Sequence, residues 1–119
     1  MDIAGMIAEI RRHSEFHKAG MLLAHNGVVR ATSRDGRKVK GLRVSVDRER
    51  LDRILSEQKK RPGIIDIRLA IAEDRDLAIG DDVMILIVAG DIRENVIAVL
   101  TDTLNLIKTT VTEKTEYFV

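Results

Sequence analysis

The stretch VMILIVAGDIRENV, residues 83–96, joins the most apolar run of the chain to the start of a helix. Nearly every position from Val83 to Ala89 is apolar, a pattern typical of a central strand that is covered on both faces. The run stops at Gly90, after which Asp91 and Glu94 stand at the spacing of a helix capping box. The stretch therefore predicts a buried strand followed directly by a helix.

The predicted helix extends from Asp91 to about Lys108 and carries a cation in its first turn. Arg93 lies near the positive end of the helix dipole, a placement that costs roughly 0.3 to 1 kcal/mol unless an anion or a carboxylate is close. An anion or carboxylate facing Arg93 is therefore expected. The apolar residues expected on the buried stripe of this helix are Ile92, Val96, Val99, Leu100, Leu104 and Ile107.

The N-terminal part of the chain changes its hydrophobic period from helix to strand. The spacing predicts an amphipathic helix over residues 2–13, and a Leu- and Val-rich segment predicts a strand over residues 19–32. The Asp-Gly pair in residues 34–36 predicts a tight hairpin. Because Val39 falls out of the following alternation, a bulge is expected near Gly41. The return strand carries Leu42, Val44 and Val46.

The remaining segments add one helix and two strands. Asp47 can cap a helix from 48 to about 60, which ends at the RPG of residues 61–63. Residues 65–71 alternate as a strand, and the Thr-rich residues 109–118 favour an extended edge strand. The elements together predict one α+β domain over 1–119: a mostly antiparallel sheet with two to three packed helices.

The composition argues against several classes of partner. Twenty basic and 19 acidic residues leave a formal net charge of +1, so no strong field favours nucleic acid or an anionic membrane. An aromatic content of 3% leaves little on which bases could stack. No apolar run approaches the length of a membrane span. The absence of cysteine excludes disulfides and zinc–thiolate sites and is typical of the cytoplasm, where we expect the protein to reside.

Cations at the ends of predicted elements are the candidate binding residues. His13 and His17 lack a carboxylate pattern that would complete a metal site, and no serine has the setting of a nucleophile. Basic side chains gathered around a helix N-terminus suit a phosphate-bearing small molecule. The alternative, which the periodicity alone favours, is that each cation is an ordinary surface residue. The four cations are Arg30, Arg93, Lys108 and Lys114.

Four segments in order resemble one protein family. They are AGMLLAHNGVVRATSRDG, GLRVSVD leading into a helix, GIIDIRLAIAEDRDLAIGDDVMILIVAGDIRENV and LIKTTVTEK. Their order and spacing are similar to those of the catalytic (large) subunit of molybdopterin synthase, the MoaE-like proteins. The similarity covers the chain from about residue 19 onward, and residues 1–18 form an N-terminal helical extension.

The resemblance implies an α/β-hammerhead fold and a homodimer of this subunit within a heterotetramer. It implies a small ubiquitin-like sulfur carrier, whose C-terminal Gly-Gly thiocarboxylate inserts into the active site. It also implies transfer of two sulfurs to cyclic pyranopterin monophosphate, which gives the dithiolene of molybdopterin. No metal and no cofactor are expected. Because this chain ends in EYFV, we expect it to be the large subunit and not the carrier.

The resemblance also implies roles for individual residues. Arg30 matches a family arginine that helps to bind the anionic substrate, and Arg93 matches the arginine of a His-Arg pair. Lys108 matches the lysine regarded as catalytic, which would hold the phosphate or the carrier's carboxyl group or donate a proton. Lys114 lies near the second family lysine, one residue short of it, and is the third substrate-binding candidate.

Two positions and one segment depart from the family pattern. Ile92 occupies the place of the family histidine, and His25 stands where the family usually has an aromatic residue. The segment TTVTEK replaces a Pro-x-Trp-Lys segment. We prefer the interpretation of a divergent synthase subunit that works without the histidine, because Arg30, Arg93 and Lys108 are all retained. The alternative is a non-catalytic member that binds a pterin or phosphate ligand or a partner's tail.

Overall fold

The computed structural model describes residues 1–119 and contains three α-helices and six β-strands. Every strand pair is antiparallel, and the predicted α+β class with packed helices is confirmed. The strands form two three-stranded sheets, whereas one sheet was expected. The helices are α1 (Ile3–Arg11), α2 (Arg48–Lys59) and α3 (Arg93–Thr110), with a 3₁₀ turn at Phe16–Lys18. The strands are β1 (Met21–Val28), β2 (Val39–Val46), β3 (Ile64–Ile71), β4 (Leu77–Ala78), β5 (Asp82–Gly90) and β6 (Thr112–Phe118).

The apolar run at residues 83–89 lies in β5, the middle strand of the first sheet, which has the order β1-β5-β3. Alternate residues of β5 face opposite layers of helix. Ile85 and Ile87 pack with Ile10 of α1, whereas Leu86 and Val88 belong to the cluster that includes residues of α2 and α3. The prediction of a central strand covered on both faces is therefore confirmed.

A bulge near the start of β3 changes the face to which its residues point. The pairing of β3 with β5 shifts between Ile64 and Asp66. As a result Ile65 packs in the α1 layer, while Ile67 packs on the α2–α3 side, although the sequence alternation placed both on one face. Asp66 is buried at this bulge, and its carboxylate accepts hydrogen bonds from its neighbour's N–H and from Arg68 Nε at 2.8 Å.

The second sheet has the order β4-β2-β6 and contains the C-terminal segment. β6 pairs with β2 at the sheet edge, which confirms the predicted edge strand. The register of this pair shifts between Val39 and Gly41, so the predicted bulge is confirmed as well. β4 lies in the polar connection at Leu77–Ala78, where no strand was predicted.

The predicted hairpin is wrong in one respect, because the first two strands do not pair with each other. The turn itself forms: Gly36 has φ 85°, and Thr32 and Lys38 make an isolated antiparallel bridge. β1 nevertheless pairs only with β5 in the first sheet, while β2 pairs with β4 and β6 in the second. β1 ends at Val28, earlier than predicted, because Val29 turns into the core of the second sheet. The Asp-Gly signal therefore marks a turn in a crossing between sheets.

The start of α3 also differs from the prediction. The Asp91 N–H donates to the Gly63 carbonyl at 2.8 Å, so residue 91 still belongs to the strand corner and the helix begins at Arg93. The capping box does not form: the Asp91 carboxylate accepts from the Ile92 N–H and from the Asn95 side-chain amide. Ile92 is 54% exposed, so its assignment to the buried stripe is wrong.

The rest of the α3 stripe packs as expected. Val96, Val99 and Ile107 are buried, and Leu100 and Leu104 pack against the same cluster. The helix continues two residues past Lys108, to Thr110. None of the helices combines the length and the apolar character needed to cross a membrane.

Candidate functional site

A cavity of about 350 Å³ lies where the two sheets meet. Both sheets, the connection between β1 and β2, and the C-terminal turn of α3 contribute to its wall. The apolar side chains come from β1, β2, β3 and β5, and the basic side chains come from the crossing loop, α3 and β6. The lining residues are His25, Gly27, Val28, Arg34, Leu42, Val44, Ile71, Val83, Met84, Lys108, Thr112 and Lys114.

The cavity is cationic although the whole chain is almost neutral. Arg34, Lys108 and Lys114 line it, and no acidic residue does. Lys114 Nζ lies 3.9 Å from a Glu116 carboxylate oxygen, whereas neither Arg34 nor Lys108 forms an ion pair. A cleft that is lined by one sign of charge and walled by apolar groups concentrates its field and attracts counter-ions. The lining therefore favours an anionic ligand.

Lys108 is held at the cavity by the end of α3. Its neighbour Ile107 is fully buried in the main core, which fixes the last turns of the helix against the first sheet. A cation in the last turn is also favoured by the negative end of the helix dipole. The backbone at Lys108 is thus held in place, and its ammonium group has no acidic partner.

His25 lies beside Lys108 in the middle of β1. It pairs across the sheet with Leu86, and the alternation of β1 places it on the same face as Leu23, toward α3. Its imidazole is partly buried and makes no hydrogen bond. Burial lowers the pKa of His25, and the positive charge of Lys108 lowers it further. Both effects favour the neutral form of the imidazole.

The four cations singled out from the sequence do not converge within one chain. Lys108 and Lys114 share the cavity, but Arg30 and Arg93 are absent from its lining. Arg30 follows β1, and its Nε donates to the Thr32 carbonyl at 2.8 Å. Within one chain, Arg30 and Arg93 therefore lie outside the cavity that Lys108 and Lys114 line.

Arg93 faces a carboxylate on its own helix. Its Nε lies 3.6 Å from a Glu94 carboxylate oxygen, and its side chain is 77% exposed. Glu94 in the first turn compensates the unfavourable position of Arg93 near the positive end of the dipole. Arg93 lies 15 residues before Lys108 on α3, and the helix rise separates the two Cα atoms by about 22 Å.

Two lining residues with basic side chains, Arg34 and His25, were not assigned to the site from the sequence. The face on which His25 lies could have been predicted, because the alternation along β1 places Leu23, His25 and Gly27 on the same side of the strand. Arg34 gave no such signal, since its direction depends on how residues 29–38 cross from one sheet to the other. The chain contains no group of three or more His, Asp or Glu side chains arranged to hold a metal ion.

Comparison with known proteins identifies relatives of this fold. The family model described as "MoaE protein" matches residues 2–110. No curated protein sequence matches the chain.

Three solved structures share the fold at low sequence identity. A MoaE protein from Burkholderia ambifaria has a TM-score of 0.78 at 21% identity, covering 100% of this chain and 82% of the other. Molybdopterin synthase from Staphylococcus aureus has a TM-score of 0.72 at 22% identity, covering 86% and 77%. A complex of subunits 1 and 2 of molybdopterin-converting factor from Helicobacter pylori has a TM-score of 0.72 at 15% identity, covering 100% and 84%.

Proposed function

The chain belongs to the MoaE protein family, the large-subunit family of molybdopterin synthase, and we propose that it catalyses sulfur transfer at the cavity beside Lys108. In this proposal it works in molybdenum cofactor biosynthesis. The sulfur donor is the C-terminal thiocarboxylate of a small ubiquitin-like carrier, and the acceptor is cyclic pyranopterin monophosphate. Two such transfers give the dithiolene of molybdopterin.

The observation that supports this function most strongly is the charge of the cavity lining. Both the phosphate of the pterin and the carboxyl group of a carrier tail are oxyanions, and the lining offers three cations and no carboxylate. Charge-assisted hydrogen bonds from ammonium and guanidinium groups to oxyanions are shorter and stronger than neutral ones. The apolar side chains of the wall limit the water that would compete for the same donors.

Lys108 is the residue that we assign to catalysis. It is the cavity cation with a firmly held backbone and no competing carboxylate. Its ammonium group would hold the reacting oxyanion or donate a proton to it. Lys114 and Arg34 would bind the remaining anionic oxygens, with Lys114 partly offset by Glu116.

A small partner subunit is part of the proposal. The Helicobacter pylori structure is a complex of two subunits of a molybdopterin-converting factor, and it shares this fold. By analogy, a carrier tail ending in Gly-Gly would enter the cavity between the two sheets. Two glycines without side chains suit a narrow approach, because the backbone can pass close to the wall.

A second copy of the chain would bring Arg93 to the site. Arg93 lies at the opposite end of α3 from Lys108 and is exposed, so it does not serve the cavity of its own chain. Two α3 helices related by a two-fold axis and packed antiparallel would place Arg93 of one protomer near Lys108 of its partner. The exposed Ile92 and Ile97 on the N-terminal half of α3 are suited to such an interface. We propose a homodimer within a heterotetramer on these grounds, and Arg30 remains a candidate for a dimeric site.

The alternative function is a non-catalytic family member that binds a pterin, a phosphate ligand or a partner's tail. Ile92 favours it, because this position carries no titrating group at the start of α3. A reconstituted assay separates the two functions: the chain is mixed with a thiocarboxylated carrier and the pterin precursor, and dithiolene formation is followed. Turnover supports the synthase, whereas binding of the carrier tail without turnover supports the alternative.

A further inference from the structure

His25 is the one titratable group of the cavity that the proposed reaction does not use. Its imidazole faces a cavity in which every charged neighbour is basic. Lys108 of α3 is close enough for its charge to act on His25, and Lys114 of β6, paired with Glu116, and Arg34 of the crossing loop line the same cavity. The lining residues of β2, β3 and β5 are all apolar: Leu42, Val44, Ile71, Val83 and Met84. No carboxylate lines the cavity that would stabilise an imidazolium.

An anion in the cavity would favour the protonated form of His25. An oxyanion against Lys108 neutralises the charge that opposes protonation of His25, and it also offers an acceptor for an imidazole N–H. Neither ring nitrogen of His25 is occupied by a protein hydrogen bond, so the imidazole is free to donate. Protonation of His25 and binding of the anion therefore favour one another, as thermodynamic linkage requires.

We propose that His25 is an anion-binding residue of this cavity, which takes up a proton when an oxyanion binds against Lys108. The inference rests on the proposed function for its choice of site. It adds His25 as a further binding residue and the uptake of a proton as a further event. The ligand chemistry is an oxyanion, which either a phosphate ester or the terminal carboxylate of a Gly-Gly tail would supply. The consequence is that anion affinity increases as the pH falls through the range in which histidine titrates.

Sulfate is a suitable probe, because it carries two negative charges throughout that range and the pH dependence then reports on the protein. Its dissociation constant is measured by calorimetry at constant ionic strength at about pH 5.5 and about pH 7.5, on either side of the ordinary histidine pKa. We expect binding to be tighter at the lower pH, by up to about tenfold for each unit by which the anion raises the pKa of His25. The NMR titration of the His25 ring should show that rise directly.

Variants distinguish His25 from the other histidines and from a merely structural role. His25→Gln and His25→Phe should fold and bind sulfate with little pH dependence, whereas His17→Gln, at an exposed position of the 3₁₀ turn, should behave like the wild type. A peptide ending in a Gly-Gly carboxylate, compared with its C-terminal amide, tests the second source of the oxyanion. Tighter binding of only one of the two probes at low pH identifies which source the residue serves.

Three outcomes would overturn the inference: no sulfate or carboxylate binding at either pH, equal affinity at both, or an unchanged pH dependence in His25→Gln. Each can be told apart from failure of the proposed function, which is measured separately by dithiolene formation. An enzyme that turns over but binds anions without pH dependence would retain the synthase function and lose only the role of His25.

Discussion

The side-chain amide of Gln58 on α2 donates a 2.9 Å hydrogen bond to the hydroxyl of Thr103 on α3, and both side chains are buried. This bond joins the two helices that cover the same face of the first sheet. It lies on the helix that carries both Arg93 and Lys108, so it helps to fix the position of the cavity cation relative to the sheet.

Replacing Thr103 with Val should destabilise the fold. The substitution keeps the shape but leaves the buried Gln58 amide without its acceptor, which costs about 1 to 3 kcal/mol. Urea unfolding should show a lower midpoint with an unchanged slope. The double variant Gln58→Leu/Thr103→Val removes both polar groups and should recover part of the loss. An unchanged midpoint in Thr103→Val would show that the bond contributes nothing to stability.

Gly63 should be less replaceable than Gly36, although both have a positive φ. Gly63 has φ 80° and Gly36 has φ 85°, so alanine at either position costs about 1 to 2 kcal/mol of backbone energy. A Cβ at Gly63 would also collide with the Asp91 carboxylate, whereas one at Gly36 would meet open space. Thermal unfolding of Gly63→Ala should therefore occur at a clearly lower temperature than that of Gly36→Ala. Equal losses would mean that the corner at Asp91 can relax.

Stability should decrease on acidification because of His25. Its pKa in the folded protein is lowered by burial and then by Lys108, so the unfolded chain binds a proton there more readily than the folded chain does. This contribution to stability is complete above the unfolded pKa of about 6.5 and is lost as the pH falls below it. Urea midpoints at neutral and mildly acidic pH should differ more for the wild type than for His25→Gln. The same difference in both proteins would contradict the assignment.

A shared site predicts complementation between two inactive variants. Arg93→Ala and Lys108→Ala should each be inactive alone, but a random mixture of the two chains forms mixed dimers that contain one intact site. Half of the dimers are mixed and each has one working site of two, so about a quarter of the wild-type sulfur transfer should return. A mixture without activity would mean that Arg93 does not act across the dimer.

The elements with a strong hydrophobic period were predictable from the sequence, and their partners in the sheets were not. The continuous apolar run of β5 identified a strand that is buried on both faces. The apolar stripe of α3 identified a helix that is buried on one face, because each kind of burial leaves its own sequence pattern. The Asp-Gly turn was also found, but turn chemistry does not specify whether the flanking strands pair with each other. β1 pairs instead with β5, and β2 pairs instead with β6.

The site was predictable only where a residue is tied to a regular element. Lys108 and Lys114 follow from the end of α3 and from β6, and both line the cavity. The direction of Arg34 is set by the path of an irregular loop, which no period encodes. The distance between Arg93 and Lys108 was implicit in a long helix, since each residue adds a rise of about 1.5 Å. Arg93 and Lys108 were both predicted to bind the ligand, although one chain holds them far apart.

In the proposed function, sulfur transfer takes place at the cavity cation Lys108. Dithiolene formation is measured in a reconstituted reaction with thiocarboxylated carrier and pterin precursor, comparing Lys108→Ala with Lys60→Ala, a lysine that is exposed at the end of α2 and outside the cavity. Circular dichroism should show that both variants are folded. We expect Lys60→Ala to retain wild-type turnover and Lys108→Ala to lose about 100-fold or more. Undiminished turnover in Lys108→Ala would contradict a catalytic role for Lys108.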